Sequence, residues 1–216
     1  IAHHQLALQV YTFDSTPEDW AWTHDMLARA FRKRIKGDKA DNLEQAIAHH
    51  QLTLQVYTRE TEPEDWAKSQ ASLGHIYRER IKGEKANNLK LAIEHYQLSL
   101  EIRTQEQFPQ DWARIQKNLA DTHYHQDNYD LAIKHYNLAL QVYTKESYPQ
   151  DWANIPDWLG NAFHRTQGDK LENFEKAVSH FRQALEGYQP ETYPQDWARV
   201  QRNLANTYYQ TENHYD

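Results

Sequence analysis

Apolar residues recur along the chain at the 3.6-residue period of an amphipathic helix. Two neighbouring stretches show this pattern clearly. In the first stretch, the apolar positions on one face are Trp66, Leu73, Ile76, Tyr77 and Ile81. In the second, they are Leu89, Ala92, Ile93, Tyr96 and Leu100. Each stretch predicts one helix, and the low content of six glycines and seven prolines in 216 residues favours long helices throughout the chain.

The two stretches belong to two sequence blocks that alternate along the whole chain. The first block reads Pro-Glu/Gln-Asp-Trp-Ala, and its tryptophans are Trp20, Trp66, Trp112, Trp152 and Trp197. The second block starts with the alanines Ala46, Ala92, Ala132 and Ala177. Each of these alanines lies 20 residues before the next block tryptophan. The fixed spacing predicts an array of helix pairs, whose members we call first-type and second-type helices after the block that each contains.

Several residues predict where these helices begin and end. Each first-type helix opens with its block proline at the first helical position, and the block aspartate suits the positive end of the helix dipole. Thr16 is a predicted N-cap, and first-type helices are expected to end near Gly37 or Gly83. The predicted N-caps of the second-type helices are Asn42, Asn88, Asn128 and Asn173. Pro156 is expected to kink or fray the helix that contains it.

The spacing predicts ten helices. Ile1–Thr12 corresponds to the tail of a second-type helix, and His214–Asp216 begins to resemble the start of another. We therefore expect a single repeat domain over 1–216, with about four and a half repeats and with both ends inside the array. Incomplete terminal helices expose apolar faces, so we expect end-to-end self-association through Ile1–Thr12 or Asn203–Asp216.

Composition and motifs exclude several functions. The chain has no cysteine, which removes disulfide scaffolds, cysteine zinc sites and thiol nucleophiles. It lacks the motifs of serine hydrolases, P-loop and dinucleotide-binding folds and zinc proteases, so we expect no enzyme activity and no cofactor. It also lacks a signal peptide and an apolar run long enough to cross a membrane, and we therefore expect a cytoplasmic protein without membrane partners.

Histidine is abundant, with 13 residues, and it recurs at one position of the second block. The recurrent residues are His49, His95, His135 and His180, which His3 joins. Two interpretations remain open, a metal-binding or pH-sensing ladder and a half-exposed aromatic position that histidine fills. Neighbouring helices pack roughly 8–10 Å apart, whereas zinc ligands lie about 2 Å from one ion, so we expect no metal site.

The blocks resemble the tetratricopeptide repeat. The resemblance rests on Leu73-Gly74 and Tyr77 with Ala92 and Tyr96, and on Leu159-Gly160 and Phe163 with Ala177, Phe181 and Ala184. The period of 40 to 46 residues exceeds the family's period of about 34, and His123 stands where an aromatic residue is usual. This long variant is similar to arrays in large bacterial signalling proteins, where such arrays often precede a caspase-like domain. The resemblance implies an all-α fold of antiparallel helix pairs stacked into a right-handed superhelical solenoid.

The resemblance also implies that first-type helices line a concave face, at positions two, five, nine, twelve and thirteen past each block tryptophan. These 25 positions have a net charge of +6, whereas the whole chain has a net charge of −7. The contrast predicts a basic groove that binds an acidic peptide or protein segment. The candidate groove residues are Trp22, Arg29, Arg32, Lys68, His75, Arg78, Arg114, Lys117, Tyr124, Asn161, His164, Arg199, Arg202, Asn206 and Tyr209. Arg202 and Asn206 match two positions that hold a C-terminal carboxylate in some tetratricopeptide domains.

Such a groove predicts a non-catalytic protein-interaction scaffold. The block tryptophans are expected in the core, whereas Trp22 faces elsewhere and is a candidate ligand contact. Two alternatives remain open. One is a nucleic-acid binder in which Tyr124 and Tyr209 stack on bases, although an acidic chain with a pI near 6.0 argues against it. The other is a regulatory array that controls an effector domain outside this sequence.

Overall fold

A computed structural model describes residues 1–212 of the chain. These residues form ten α-helices and no β-strand, which confirms the predicted all-α fold. The helices are α1 (Ala2–Ala7), α2 (Pro17–Arg32), α3 (Lys39–Thr53), α4 (Pro63–Glu79), α5 (Lys85–Leu100), α6 (Pro109–Tyr124), α7 (Tyr129–Ala139), α8 (Pro149–Arg165), α9 (Lys170–Gly187) and α10 (Pro194–Glu212). The even-numbered helices are of the first type, and α3, α5, α7 and α9 are of the second type. The predicted helix start at His214–Asp216 lies outside the described residues.

The helices divide between two compact units. Unit 1 covers Ile1–Phe108 and contains α1 to α5, and unit 2 covers Pro109–Asp216 and contains α6 to α10. Within each unit, a first-type helix packs most closely against the second-type helix that follows it, and that helix then contacts the next first-type helix. The helix pair is therefore the building block of each unit, whereas the single domain over 1–216 stays a prediction.

In two helix pairs, an aromatic ring of the second-type helix packs directly against a glycine of the first-type helix. These glycines are Gly74 in α4 and Gly160 in α8. A Cβ atom placed on Gly74 would lie 2.7 Å from a ring carbon of Tyr96, and one placed on Gly160 would lie 2.6 Å from Phe181. Both rings are fully buried and add a large apolar area to the core. The Leu-Gly pair and the aromatic residue of the repeat pattern thus explain why consecutive helices pack together.

The block tryptophans lie in or beside this core, as predicted. Trp152 is buried in a cluster with Ala153 and Phe181 between α8 and α9. Trp197 packs against the same cluster, and Trp112 packs against the buried cluster of α6, α7 and α8. Packing therefore accounts for these residues without a role in stacking on bases or sugars.

Three second-type helices begin one turn earlier than predicted. Their observed N-caps are Asp38, Glu84 and Asp169. The predicted caps Asn42, Asn88 and Asn173 are buried inside the helices, where their amides donate to carbonyl oxygens of the preceding loop. The cause is a glycine in each loop (Gly37, Gly83 or Gly168), whose positive φ turns the chain so that the acidic residue after it takes the N-cap position. The side chains of Asp38 and Asp169 accept hydrogen bonds from helix amides, whereas that of Glu84 accepts none. The fourth asparagine, Asn128, caps α7 as predicted and accepts a bond from the Leu131 amide.

Two further predictions concern the start of α2 at Thr16 and the proline inside α8. Thr16 is the N-cap of α2, but its hydroxyl accepts a bond from the Thr12 amide (3.2 Å) and none from the helix. Helix α8 continues through Pro156 without a break, so the helix does not fray there, and the alternative of a kink stays a prediction. No helix within residues 1–212 combines the length and apolarity that a membrane crossing requires.

Candidate peptide-binding faces

In unit 2, the predicted groove positions lie on neighbouring first-type helices. Three contacts join α8 to α10 at successive turns. They pair Asp157 with Arg199, Asn161 with Asn203 (3.3 Å) and His164 with Thr207 (3.2 Å). Helix α6 joins α8 through the ring of Tyr124, whose centroid lies 5.1 Å from that of Trp158. These contacts bring α6, α8 and α10 side by side, and we call the surface of these three helices around the contacts the unit 2 face.

Unit 1 has a smaller surface of the same kind, which we call the unit 1 face. Arg32 of α2 approaches Glu79 of α4, with 3.8 Å between Nε and Oε2. The candidate groove residues of unit 1 are Trp22, Arg29, Arg32, Lys68, His75 and Arg78. Those of unit 2 are Arg114, Lys117, Tyr124, Asn161, His164, Arg199, Arg202, Asn206 and Tyr209. That the candidates of each unit share one face stays a prediction.

The block aspartates pair with cations of these faces. Each block aspartate lies three residues before the position two past the tryptophan, so the two side chains meet on one helix surface. The pairs are Asp65 with Lys68 (3.8 Å), Asp111 with Arg114 (2.7 Å) and Asp196 with Arg199 (2.6 Å). Adding the five block aspartates to the 25 counted positions lowers their net charge from +6 to +1. The three-residue spacing between each block aspartate and its cation was visible in the sequence. The 25 groove positions taken from the family resemblance did not include these aspartates, so their charge was not counted.

Other cations of the faces also have acidic neighbours. Arg29 Nε lies 2.9 Å from Asp25, and Lys117 Nζ lies 3.7 Å from Asp121. Asp25 is buried and Asp121 is mostly buried, so these two pairs are shielded from water. The Asp65–Lys68 and Asp111–Arg114 pairs are exposed, and such pairs contribute only about 0–1 kcal/mol because water and salt screen them. A carboxylate of a ligand can therefore replace or share Asp65 and Asp111 at little cost.

Arg199 is held more firmly than the other cations. Asp157, which it contacts, is completely buried, and burial raises the pKa of that carboxyl, with the Arg199 hydrogen bond only partly offsetting it. Burial lowers the pKa of Arg199, but its hydrogen bonds to Asp196 and Asp157 outweigh this and raise it overall. Asn161 also donates to Asp157. Arg199 and Asn161 thus stabilise a buried carboxylate, which reduces their availability to a ligand.

Six candidate residues are exposed, namely Trp22, Lys68, Arg114, Arg202, Asn206 and Tyr209. Trp22 is 52% exposed and Tyr209 is 70% exposed. Arg202 and Asn206 are exposed one turn apart on α10, and neither has a hydrogen-bond or ion-pair partner within residues 1–212. Arg202 is therefore the cation of the unit 2 face that is most accessible to a ligand carboxylate.

The unit 2 face also includes an aromatic cluster that the sequence pattern did not reveal. Tyr124 makes edge contacts with Trp158 and Tyr129, at centroid distances of 5.1 Å and 5.3 Å. The guanidinium of Arg165 lies 6.0 Å from the Tyr124 ring centroid. Trp158 lies outside the tryptophan ladder, and its place six residues past Trp152 was the signal that could have assigned it to this face.

The recurrent histidine of the second-type helices contacts two positions of the preceding first-type helix. His95 Nδ1 lies 2.6 Å from Gln70 Oε1, and its ring stacks on Tyr77 with centroids 5.2 Å apart. The equivalent contacts are His135 with Gln116 and His123, and His49 with His24 and Phe31. We call this arrangement the histidine lock, formed with residues four and eleven past the block tryptophan.

The fourth pair has only half of the histidine lock. His180 stacks on Phe163 at 5.4 Å, but the residue four past the tryptophan is Pro156, and His180 Nδ1 lies near Gln183 of its own helix. His123 completes the third lock in place of the usual aromatic residue. Within residues 1–212 no group of three histidine or acidic residues is arranged to hold a metal ion. The ring contacts of the recurrent histidines agree with the second interpretation, an aromatic packing position.

Burial keeps the lock histidines neutral. It lowers the pKa of His24 to about 4, with His49 as a further cause, and the pKa of His135 to about 4, with His123 and Lys134 contributing. It also lowers the pKa of His95. Since an amide oxygen only accepts hydrogen bonds, the proton of neutral His95 lies on Nδ1, facing Gln70.

Residues 84–145 match the family model of the tetratricopeptide repeat. This part of the chain is thus similar to the tetratricopeptide repeat. No curated protein matches the chain. The crystal structure of BtubC (BKLC) from P. vanneervenii superimposes with a TM-score of 0.68 at 18% identity, over 96% of this chain and 78% of that chain. The crystal structure of the APC/C hetero-tetramer Cut9-Hcn1 gives 0.64 at 15% identity, over 95% of this chain and 32% of that one.

These similarities confirm the resemblance and the fold. The matched residues include all of α5, α6 and α7, together with the loop between α5 and α6 and the short loop before α7. Tetratricopeptide repeats are generally protein-interaction scaffolds and are typically non-enzymatic.

Proposed function

We propose that this chain is a non-catalytic scaffold that binds a protein or peptide partner on the first-type helices. The observation that supports it most directly is the alignment of α8 and α10, where contacts at successive turns leave Arg202, Asn206 and Tyr209 exposed on one surface. An accessible cation, an amide and an aromatic ring are the groups that commonly recognise peptides. We keep the cytoplasm as its expected location, which follows from the sequence alone.

We further propose that the partner is acidic. Arg202 has no acidic partner within residues 1–212, and the pairs at Lys68 and Arg114 are exposed and weak. A guanidinium binds a carboxylate with two parallel hydrogen bonds, and Asn206 can bond the peptide backbone beside it. The block aspartates reduce the net charge of the groove positions from +6 to +1. We therefore propose that carboxylates of the partner pair with individual cations such as Arg202, and that a uniformly basic wall is not needed.

Binding can be tested with a peptide library displayed on phage and selected on the intact chain. Selected peptides are then measured by fluorescence anisotropy with the wild-type chain, Arg202→Glu and Lys134→Glu. Arg202→Glu should weaken binding by about tenfold or more, because a repulsive pair replaces an attractive one. Lys134 is exposed on the second-type helix α7, so Lys134→Glu should bind like the wild type. Equal loss in both variants, or enrichment of peptides without acidic residues, would contradict the acidic-partner proposal.

The same anisotropy assay tests the alternative that the chain binds nucleic acid. Labelled single-stranded RNA and DNA replace the peptide, and the affinity is measured at several salt concentrations. A nucleic-acid face would lose affinity steeply as salt rises, because each neutralised phosphate releases counterions. The pairing of face cations with block aspartates argues against this result. Control of an effector domain outside this sequence is compatible with a scaffold and stays a prediction.

We also propose self-association through the terminal helices. Leu6 is 56% exposed, Val10 is 72% exposed and Phe13 is 48% exposed, so the segment that begins the chain presents apolar side chains to water. Tyr208 of α10 is 38% exposed. Exposed apolar positions of this kind favour protein contacts.

A further inference from the structure

Helices α2 and α4 meet on the unit 1 face through a chain of polar side chains. In α4, Arg78 Nη2 donates to His75 Nδ1 over 3.3 Å. His75 Nε2 lies 3.5 Å from Oε1 of Glu79, and Nε of Arg32, which belongs to α2, lies 3.8 Å from Oε2. We call these four residues the arginine seam. Both sides of the seam are formed by helices of unit 1.

Two donors of the arginine seam point at the carboxylate of Glu79. Since a guanidinium only donates hydrogen bonds, Nδ1 of His75 accepts from Arg78, and the proton of the neutral ring lies on Nε2. That proton faces Oε1 of Glu79, while Arg32 faces Oε2. One carboxylate thus stands between donors from two helices. The seam is therefore arranged around an anion, which Glu79 itself supplies.

Glu79 is held loosely in this position. Its contacts of 3.5 Å and 3.8 Å are longer than the roughly 2.7–2.9 Å of a good charge-assisted hydrogen bond. The next residue, Arg80, shows the contrast, because it binds both carboxylate oxygens of Glu44 over 2.7 Å and 2.8 Å. Glu79 is also the last residue of α4, and its side chain is 32% exposed. An anion with a stronger attraction for the seam can therefore displace it.

The arginines of the seam lie in the last turns of α2 and α4, where cations also offset the helix dipole. That role needs no link between two helices, whereas the carboxylate of Glu79 faces a donor from each. Arg29, one turn before Arg32, is already bound to buried Asp25 over 2.9 Å and is not counted in the seam. The seam thus places two guanidinium groups and one imidazole around one weakly held carboxylate.

The presence of Glu79 selects the kind of anion. A carboxylate of a partner has the same charge and shape as the Glu79 side chain, so it gains little by displacing it. A phosphate monoester has a charge of about −1.5 to −2 at pH 7 and three acceptor oxygens, so it attracts the guanidinium groups more strongly. The seam thus differs from Arg202, which has no acidic partner within residues 1–212 and suits a carboxylate.

We propose that the arginine seam binds the phosphate group of a phosphorylated side chain in a protein partner. The phosphate replaces the Glu79 carboxylate between Arg32 and His75, and Glu79 turns out towards solvent. Arg78 adds positive charge from the other side of the imidazole. The inference rests on the proposed scaffold function, and it names a second group of the partner that the scaffold recognises.

Nuclear magnetic resonance with small anions tests the preference of the seam. The arginine Nε–H signals of the isotope-labelled 216-residue chain are followed during titration with inorganic phosphate and, separately, with acetate at the same ionic strength. Phosphate should shift the Arg32 signal, and acetate should leave it in place. Equal responses to the two anions would overturn the assignment to phosphate.

Peptide pools then test binding of a phosphorylated segment by fluorescence anisotropy. The three pools have phosphoserine, glutamate or serine at one fixed position between random residues. The wild-type chain should bind the phosphoserine pool about tenfold more tightly than the glutamate pool. Arg32→Gln should lose about tenfold in affinity for the phosphoserine pool. Arg59→Gln, at an exposed arginine that also has an acidic partner, is the matched control and should bind like the wild type.

Glu79→Gln tests the seam by a gain of affinity, which a misfolded chain cannot produce. Removal of the competing charge should strengthen binding of the phosphoserine pool by about fivefold. Glu94→Gln is the matched control, because Glu94 is exposed on α5 with Lys90 at 3.9 Å, and it should bind like the wild type. Unchanged or weaker binding of the phosphoserine pool by Glu79→Gln would overturn the seam.

Further outcomes separate the seam from the other proposals. Arg202→Glu should leave the response of Arg32 to inorganic phosphate unchanged. Loss of the seam with peptide binding by Arg202 retained would overturn this inference alone and leave the scaffold function standing. If Arg32→Gln weakened binding of single-stranded RNA as strongly as that of the phosphoserine pool, the phosphate would belong to a nucleic acid, and the assignment to a phosphorylated protein would be overturned.

Discussion

At the residue scale, a histidine that recurs in each repeat serves as a packing residue. Gln70 and Tyr77 hold His95 from two directions, at 2.6 Å and at a ring distance of 5.2 Å. Its pKa is lowered by burial, so the ring is neutral when the lock forms. The recurrence was evident in the sequence, but the partners were not, because they depend on the register between two helices.

We predict that Gln70→Ala destabilises the chain by about 1–3 kcal/mol, because the partly buried His95 Nδ1–H loses its acceptor. The free energy of unfolding would be measured by urea denaturation followed by circular dichroism. Gln97→Ala is the control, since Gln97 is exposed on the same helix as His95 and should cost less than about 0.5 kcal/mol. Similar losses in both variants would show that the hydrogen bond of the lock contributes little.

At the element scale, the loop between paired helices sets where the second-type helix begins. A glycine with positive φ and an acidic cap precede α3 and α9, and a buried asparagine then binds the loop carbonyls. The asparagines were predicted as N-caps because their residue type favours that position. These asparagines are buried instead, and their side-chain amides donate to loop carbonyls that would otherwise need water as a partner. Asn128 differs because its loop is short, and there the prediction holds.

We predict that Asn88→Ala costs about 1–3 kcal/mol, whereas Asn87→Ala costs less than about 0.5 kcal/mol. Asn88 is buried and donates to the Lys82 carbonyl over 2.8 Å, so its loss leaves that carbonyl unpaired. Asn87 is exposed and contacts only Glu84. Thermal and urea denaturation of both variants would check the difference. If Asn88 were only an N-cap, its substitution would cost about 1 kcal/mol and would mainly reduce helix content at the start of α5.

At the scale of the whole molecule, sequence reasoning predicted the fold better than the site. The number and type of helices follow from periodicity and spacing, which act within one helix or one pair. The charge of the faces depends on which side chains meet. The positions taken from the family omitted the block aspartates, so Lys68 and Arg114 were counted as free charges although each has an acidic partner. Trp158 was missed for the same reason, because its contact with Tyr124 links two repeats.

The buried histidines also predict how the whole chain responds to acid. Burial lowers the pKa of His24 and His135 to about 4 and that of His50 to about 3, whereas histidine in an unfolded chain titrates near 6.5. Between these values the unfolded chain binds more protons than the folded chain. Stability from these groups is therefore complete above about pH 6.5 and is lost as the pH falls towards 4. Burial raises the pKa of Asp25 and Asp157, and these two carboxyls act in the opposite direction.

We predict that the free energy of unfolding falls between pH 7 and about pH 5, by up to about 1.4 kcal/mol per pH unit for each proton taken up. The double variant His24→Gln with His123→Tyr should show a shallower fall. Glutamine occupies the position of His24 in the next two repeats, and Tyr77 occupies that of His123, so both substitutions preserve the lock while removing a titrating ring. Urea denaturation across this pH range measures the slope, and His125→Gln, at an exposed histidine, is the control. An unchanged slope in the double variant, with stability at pH 7 retained, would mean that groups outside the locks cause the acid sensitivity.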